Sequence, residues 1–134
     1  MKYYYLKGKE IHETNNILKW GKEFEKIENR RVAKATFTDT DVSTVFIGID
    51  HRFLFEPAGA PLLFETMIFG SIADNYCDRY ETWEQATKGH IIACKIVVNY
   101  WQKDNINSFV WEFFKVVFIA IALLIFGLFL VVIL

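Results

Sequence analysis

The sequence predicts an α+β protein: a small antiparallel sheet of three or four strands packed with two amphipathic helices, followed by one C-terminal transmembrane helix. Three observations carry that reading. β-branched and alternating runs fall between Arg31 and Phe69, apolar residues recur at helical spacing around Trp20 and again after Thr82, and Val116 to Leu134 holds no charge. The expected organisation is a cytoplasmic α+β domain over residues 1–104, a hinge and aromatic collar over 105–115, and a membrane helix over 116–134.

Tyr3 to Leu6 and Glu10-Ile11 flank Lys7-Gly8-Lys9, which suggests a small hairpin. Ile17, Trp20, Phe24 and Ile27 then share a helical face, with Thr14, Asn15 and Asn16 available to cap its start and Asn29 near its end. Gly21 weakens that helix by about 1 kcal/mol relative to Ala. Arg31 to Phe37 alternates, Thr38-Asp39-Thr40-Asp41 turns, and Val42 to Ile49 reads as the second strand of a hairpin. After a loop with Pro57, Gly59 and Pro61, Leu62 to Phe69 predicts a third strand and Tyr80-Glu81 a short fourth. Thr82-Trp83-Glu84-Gln85 fits a capping box. Trp83, Ala86, His90, Ile91, Cys94, Val97, Val98 and Trp101 follow on one broad face, which should pack on the sheet, and this second helix is expected to end near Lys103-Asp104-Asn105.

Sixteen of the nineteen residues from Val116 to Leu134 are Leu, Ile, Val or Phe. At about 0.3–0.6 kcal/mol each they favour a bilayer by roughly 5–10 kcal/mol at most, and nineteen helical residues match a hydrocarbon core about 30 Å thick. A domain of this size could hardly cover a helix that is apolar on every face. Trp111, Phe113, Phe114 and Lys115 form the expected interfacial collar, with Glu112 beside them. Lys103 and Lys115 precede the segment and no residue follows it, so the domain is expected on the cytoplasmic side of a single-pass, tail-anchored protein. Ala120 and Gly127 share a face at heptad spacing without a GxxxG, which leaves helix pairing open.

Net charge is -1, from 15 basic and 16 acidic residues, so no basic field exists to hold a phosphate backbone and nucleic acid is a poor partner. Cys77 and Cys94 belong to no paired-cysteine or zinc-like pattern and read as free thiols. Charges interrupt the N-terminal residues before a signal-peptide core could form.

Candidate chemistry rests on Asp50 and His51 at the end of the second strand, Glu65 within an apolar third strand, and His90 on the apolar side of the second helix. If the two strands are antiparallel neighbours, some of these side chains could converge, with Glu65 as a base of raised pKa and a His sharing a proton or a divalent metal. Each has a plainer reading. Glu65 shares its face with Leu63, Met67 and Phe69 and can point to solvent, Asp50-His51 can be a strand-end turn, and His90 can be a hydrogen-bonded core histidine. No GxSxG, HExxH, P-loop or paired-cysteine motif occurs, and neither a metal site nor a cofactor is specified. The aromatic set Tyr3, Tyr4, Tyr5, Trp20, Phe46, Phe53, Phe64, Tyr80 and Trp83 could line a pocket or a protein contact, but suits a core better.

Arg30-Arg31-Val32-Ala33, Val42-Ser43-Thr44-Val45-Phe46-Ile47-Gly48-Ile49-Asp50-His51, Pro61-Leu62-Leu63-Phe64-Glu65-Thr66-Met67-Ile68-Phe69-Gly70, Tyr80-Glu81-Thr82-Trp83-Glu84 and Gly89-His90 occur in that order. Over residues 3–95 the chain thereby resembles a family of short uncharacterised bacteriophage and prophage proteins. The sequence departs from that family in its membrane tail, and in the loop Leu54 to Ala60, where Gly59 stands in place of a glycine-rich run. The resemblance implies a phage accessory protein. With the anchor, it leads to the expectation of a non-enzymatic binding module at the inner face of a host membrane, acting on a host or viral protein there. The alternatives are a small hydrolase or nucleotide-handling enzyme using Asp50, His51 and Glu65, and a homo-oligomer that alters membrane permeability.

Overall fold

The computed structural model describes residues 2–52, 59–70 and 73–133, with residue 27 and residues 124–133 described by their backbone. Phe53 and Pro57, on the loop expected after the second strand, lie outside the described residues. The chain runs through β1 (Tyr3–Lys7), β2 (Glu10–Thr14), α1 (Ile17–Phe24), α2 (Ile27–Arg30), β3 (Arg31–Thr36), β4 (Thr40–Phe46), β5 (Phe64–Gly70), β6 (Cys77–Tyr80) and α3 (Trp83–Ile133).

β1 and β2 pair antiparallel with Lys7 opposite Glu10, so the connection is the two residues Gly8 and Lys9. Gly8 has φ +60, the conformation that a tight hairpin asks of its first central residue. Asn16 caps α1, its Oδ1 accepting from the amides of Leu18 and Lys19 at 3.0 Å each. The apolar repeat that predicts one helix as far as Ile27 is divided between α1 and the single turn α2.

β3, β4, β5 and β6 form an antiparallel meander in sequence order. The second strand begins two residues earlier than expected, at Thr40, and ends at Phe46. Gly48 turns the chain there with φ +70, and a Cβ on it would come within 2.6 Å of the Phe24 ring. Its carbonyl accepts from the Tyr4 amide at 2.9 Å, which ties β1 to the end of β4. Along β4, Thr40, Val42, Thr44 and Phe46 are buried while the residues between them are half-buried; on β5 the buried positions are Phe64, Thr66 and Ile68. That alternation gives the sheet a covered face and an open one.

α3 covers the inner face. Its capping box forms as the sequence predicts: the Gln85 amide donates to Thr82 Oγ1 at 3.2 Å, and Gln85 Oε1 accepts from the amides of Glu81 and Thr82. The buried stripe is narrower than predicted. Ala86, His90, Ala93 and Val97 are buried, whereas Ile91, Val98 and Trp101 are exposed. Positions 86, 90, 93 and 97 fall nearly in line at 100° per residue, and a sheet of short strands covers little more than one such line.

Two apolar clusters make the core. One joins Tyr4, Leu6, Phe46, Leu63, Phe64 and Ala86, with Trp83 and Phe24 packed against it. The other joins Val42, Ile68, Ala93 and Val97. Among the described residues, most aromatics of the body therefore serve as core, through pairs such as Phe46 and Phe64, whose ring centroids are 5.2 Å apart.

Residues 105–115, where a hinge was expected, are helical within α3, and the first compact unit covers Met1–Val97. The polar residues that suggested a break are absorbed by the helix. Asn105 Nδ2 donates to the Trp101 carbonyl at 3.0 Å, and Ser108 Oγ donates to the Asn105 carbonyl at 2.9 Å. The described residues of the second unit, 98–133, belong to this helix.

Candidate functional site

The four residues proposed for chemistry occupy three separate environments. Register explains the first separation. Glu65 stands opposite Val45 and Arg79 on the open face, whereas its neighbour Thr66 stands opposite Thr44 on the face under α3. Glu65 Oε2 accepts from Arg79 Nε at 2.8 Å and from the Cys77 thiol at 3.5 Å. The ion pair gives Glu65 a cationic partner in place of the apolar setting that its strand suggested.

His90 lies beneath the sheet, buried, with its Nδ1 2.9 Å from Thr44 Oγ1; that hydroxyl is 2.7 Å from Thr66 Oγ1. Burial lowers the His90 pKa from its ordinary value, because it disfavours the charged ring. Thr44 and Thr66 sit one inward position from Val42 and Ile68 on one side, and from Phe46 and Phe64 on the other. The three polar side chains thus form a layer between the two apolar clusters. Tyr80, opposite Phe64, faces the Thr66 hydroxyl without closing a hydrogen bond, and burial raises its phenol well above the ordinary value. A Cβ on Gly89 would overlap the Tyr80 ring and hydroxyl, so glycine there is what admits the tyrosine beneath α3. This layer holds the helix in register on the sheet; it has no solvent-facing nucleophile.

Asp50 and His51 follow the sheet. The Asp50 carboxylate accepts from Arg52 Nε at 2.9 Å, from Arg52 Nη2 at 2.7 Å and from the Leu62 amide at 3.1 Å. Hydrogen bonding to Arg52, ahead of the opposing effect of burial, lowers the Asp50 pKa from its ordinary value. Arg52 Nη1 also donates to the Gly59 carbonyl, so one ion pair ties both ends of the loop together. His51 is exposed, and its amide donates to the Leu62 carbonyl at 3.4 Å. The Asp50 pair borders a groove of about 590 Å³ lined by Lys2, Tyr4, Glu13, Arg52 and Pro61 among others. Lys2 and Glu13 form a second ion pair there at 3.1 Å. The groove therefore offers both signs of charge beside an aromatic residue, a surface suited to polar contacts.

Among the described residues no three His, Cys, Asp or Glu side chains group so as to hold a metal ion. Asp50, His51 and Glu65 are thus not brought together as one acid–base set. The sequence pattern pointed to residues that carry charge and passed over Thr44, Thr66, Arg52 and Arg79, their actual partners. One signal for the threonines was present: Thr66 shares its strand face with Phe64 and Ile68, so a hydroxyl had to be satisfied inside a core.

On α3, the collar residues Trp111, Phe113, Phe114 and Lys115 are all exposed. Lys115 Nζ pairs with Glu112 Oε1 at 2.7 Å and lies 5.8 Å from the Trp111 ring centroid. The helix holds an exposed stretch with a mean hydropathy of 1.8, long and apolar enough to cross a membrane.

Fold and surface together define the class: a small α+β domain continued by one helix of membrane-spanning length and composition. No family model matches the chain, and neither a curated protein nor a solved structure is similar to it.

Proposed function

We propose that this chain is a phage-type accessory protein that acts as a non-enzymatic binding module, held by α3 at the inner face of a host membrane. The observation that carries the reading is the exposed apolar series along α3, with its mean hydropathy of 1.8. Such a surface is stable in lipid and costly in water. Lys103 and Lys115, on the domain side of the apolar segment, favour a cytoplasmic domain by the positive-inside rule. The strings Val42 to His51 and Pro61 to Gly70 support the phage assignment through their resemblance to phage proteins. The separate placement of Asp50, Glu65 and His90, each engaged by a structural partner, favours contact over catalysis. The mixed-charge groove beside Asp50 is the contact surface we assign to a protein partner.

Alkaline carbonate extraction of cells expressing the full chain tests the anchor. The protein should remain in the membrane pellet, and the double substitution Ile119→Arg, Ile121→Arg should release it. Recovery of the unsubstituted chain in the supernatant would overturn the reading. The exposed thiol of Cys77 reports orientation: an impermeant maleimide should label it only after the cells are opened. A specific turnover by the purified full chain that is lost in His51→Ala or Glu65→Ala would replace the binding module with an enzyme.

A further inference from the structure

We propose that α3 pairs with α3 of a second copy of this chain, parallel and in register, through a seam that begins on the aqueous side of the membrane. The inference rests on the membrane-anchored reading and adds the partner. Its starting point is a spacing: Ile106, Phe109, Val110 and Phe113 recur at i, i+3, i+4 and i+7, and are 63%, 72%, 43% and 58% exposed. Within residues 106–113, Ser108 and Glu112 fall off this stripe and leave it uncharged; one heptad upstream, Lys103 stands at the position of Val110, beside Asn99.

Lipid does not account for the whole stripe. Residues 116–134 span roughly 28 Å at about 1.5 Å per residue, close to a hydrocarbon core of about 30 Å. The headgroup layer adds about 5–7 Å on each side, which Trp111 to Lys115 take up. Ile106, Phe109 and Val110 therefore stand on the aqueous side.

The second copy is the occupant that the pattern specifies. Copies inserted in one bilayer share direction and depth, so each Phe109 meets its counterpart at the same height. The heptad position of Ile106 and Phe113 continues in the sequence to Ala120 and Gly127, small residues that let two helices approach closely in lipid. Seven residues before Ile106, the same position holds Asn99, which is exposed. A lone asparagine in such a seam hydrogen-bonds its own counterpart across a parallel, in-register pair, and so sets both direction and register.

The area agrees. An aromatic side chain carries about 150–250 Å², so Phe109 and Phe113 offer on the order of 250 Å² per copy, and Ile106 with Val110 raises this to about 400 Å². That is about half of what each partner contributes to a stable interface of ordinary size, roughly 800 Å². Inside the bilayer, the close approach that Ala120 and Gly127 allow would extend the contact.

The test is a cysteine scan of the full chain in its membrane, in a Cys77→Ser, Cys94→Ala background, with oxidative cross-linking. Ile106→Cys, Phe109→Cys and Phe113→Cys should give a disulfide-linked homodimer several-fold more efficiently than Asn107→Cys, Ser108→Cys and Trp111→Cys. Phe109→Glu in the unsubstituted background should reduce chemically cross-linked dimer several-fold while the chain stays in the carbonate-resistant pellet. Uniform cross-linking around the helix, no cross-linking in a chain that still pellets, or a cross-link to a different protein would each overturn the pairing and leave the anchor standing. Loss of the unsubstituted chain from the pellet would overturn both.

Discussion

Nδ1 of His90 lies 2.9 Å from the Thr44 hydroxyl, joining α3 to β4 at a level where the core is otherwise apolar. Thr44 in turn meets Thr66 at 2.7 Å, so one imidazole and two hydroxyls satisfy one another between the two apolar clusters. Removing one member leaves the others buried with fewer partners, which costs about 1–3 kcal/mol. Thr44→Val should destabilise the folded domain by that amount, and Thr44→Ser by less, as read from thermal unfolding of the full chain in detergent.

The same histidine gives a pH dependence with a definite sign. Its folded pKa is lowered from the ordinary 6.5 because burial disfavours the charged ring. The unfolded chain therefore binds the proton more readily, and stability falls as pH drops below about 6.5 towards the folded value. His90→Gln, which keeps a polar side chain without that titration, should flatten the midpoint temperature between pH 7.5 and pH 5.5. An unchanged slope in the variant would assign the dependence elsewhere.

Gly89 and Tyr80 make a second close relationship. Because a Cβ at Gly89 would overlap the phenol ring, Gly89→Ala forces either α3 or Tyr80 to move. Overpacking of this kind costs about 1–3 kcal/mol, despite the better helix propensity of alanine. Adding Tyr80→Leu should recover part of the loss, so the double variant should be more stable than the sum of the single effects predicts.

Asp50 holds its loop through Arg52 and the Leu62 amide. Asp50→Asn keeps the shape but removes the charge, and should cost about 1–2 kcal/mol through weaker charge-assisted bonds. Since Arg52 lowers the Asp50 pKa below 3.8, its contribution is present at neutral pH and is lost as pH falls through that value towards the folded one. The variant should show a shallower acid unfolding limb.

Glu65 and His90 lie on opposite faces of the sheet, so the effects of Glu65→Ala and His90→Ala should add to within about 0.5 kcal/mol. A larger coupling energy in that double-mutant cycle would mean that the two groups act as one site. Glu65→Ala alone should cost about 1 kcal/mol or less, since its pair with Arg79 sits on the open face.

Several features are legible in the sequence by itself. The period-2 runs around Val45 and Phe64 and the period-3.6 run after Thr82 carried the α+β class, the antiparallel sheet and the capping box, because such features depend on residues near one another in the chain. The uncharged stretch after Lys115 carried a helix of membrane-spanning length and composition. Continuity of α3 through residues 105–115 was not legible, since Asn105 and Ser108 favour a turn unless their side chains bond back to the helix, as they do here. Nor was the separation of Asp50, Glu65 and His90. A strand sends adjacent residues to opposite faces, and only the pairing of Thr44 with Thr66 decides that His90 meets hydroxyls under α3 while Glu65 meets Arg79 on the other side. Local pattern thus determined the elements and the long apolar helix, whereas strand register and helix packing, which depend on contacts distant in sequence, decided which side chains share a site.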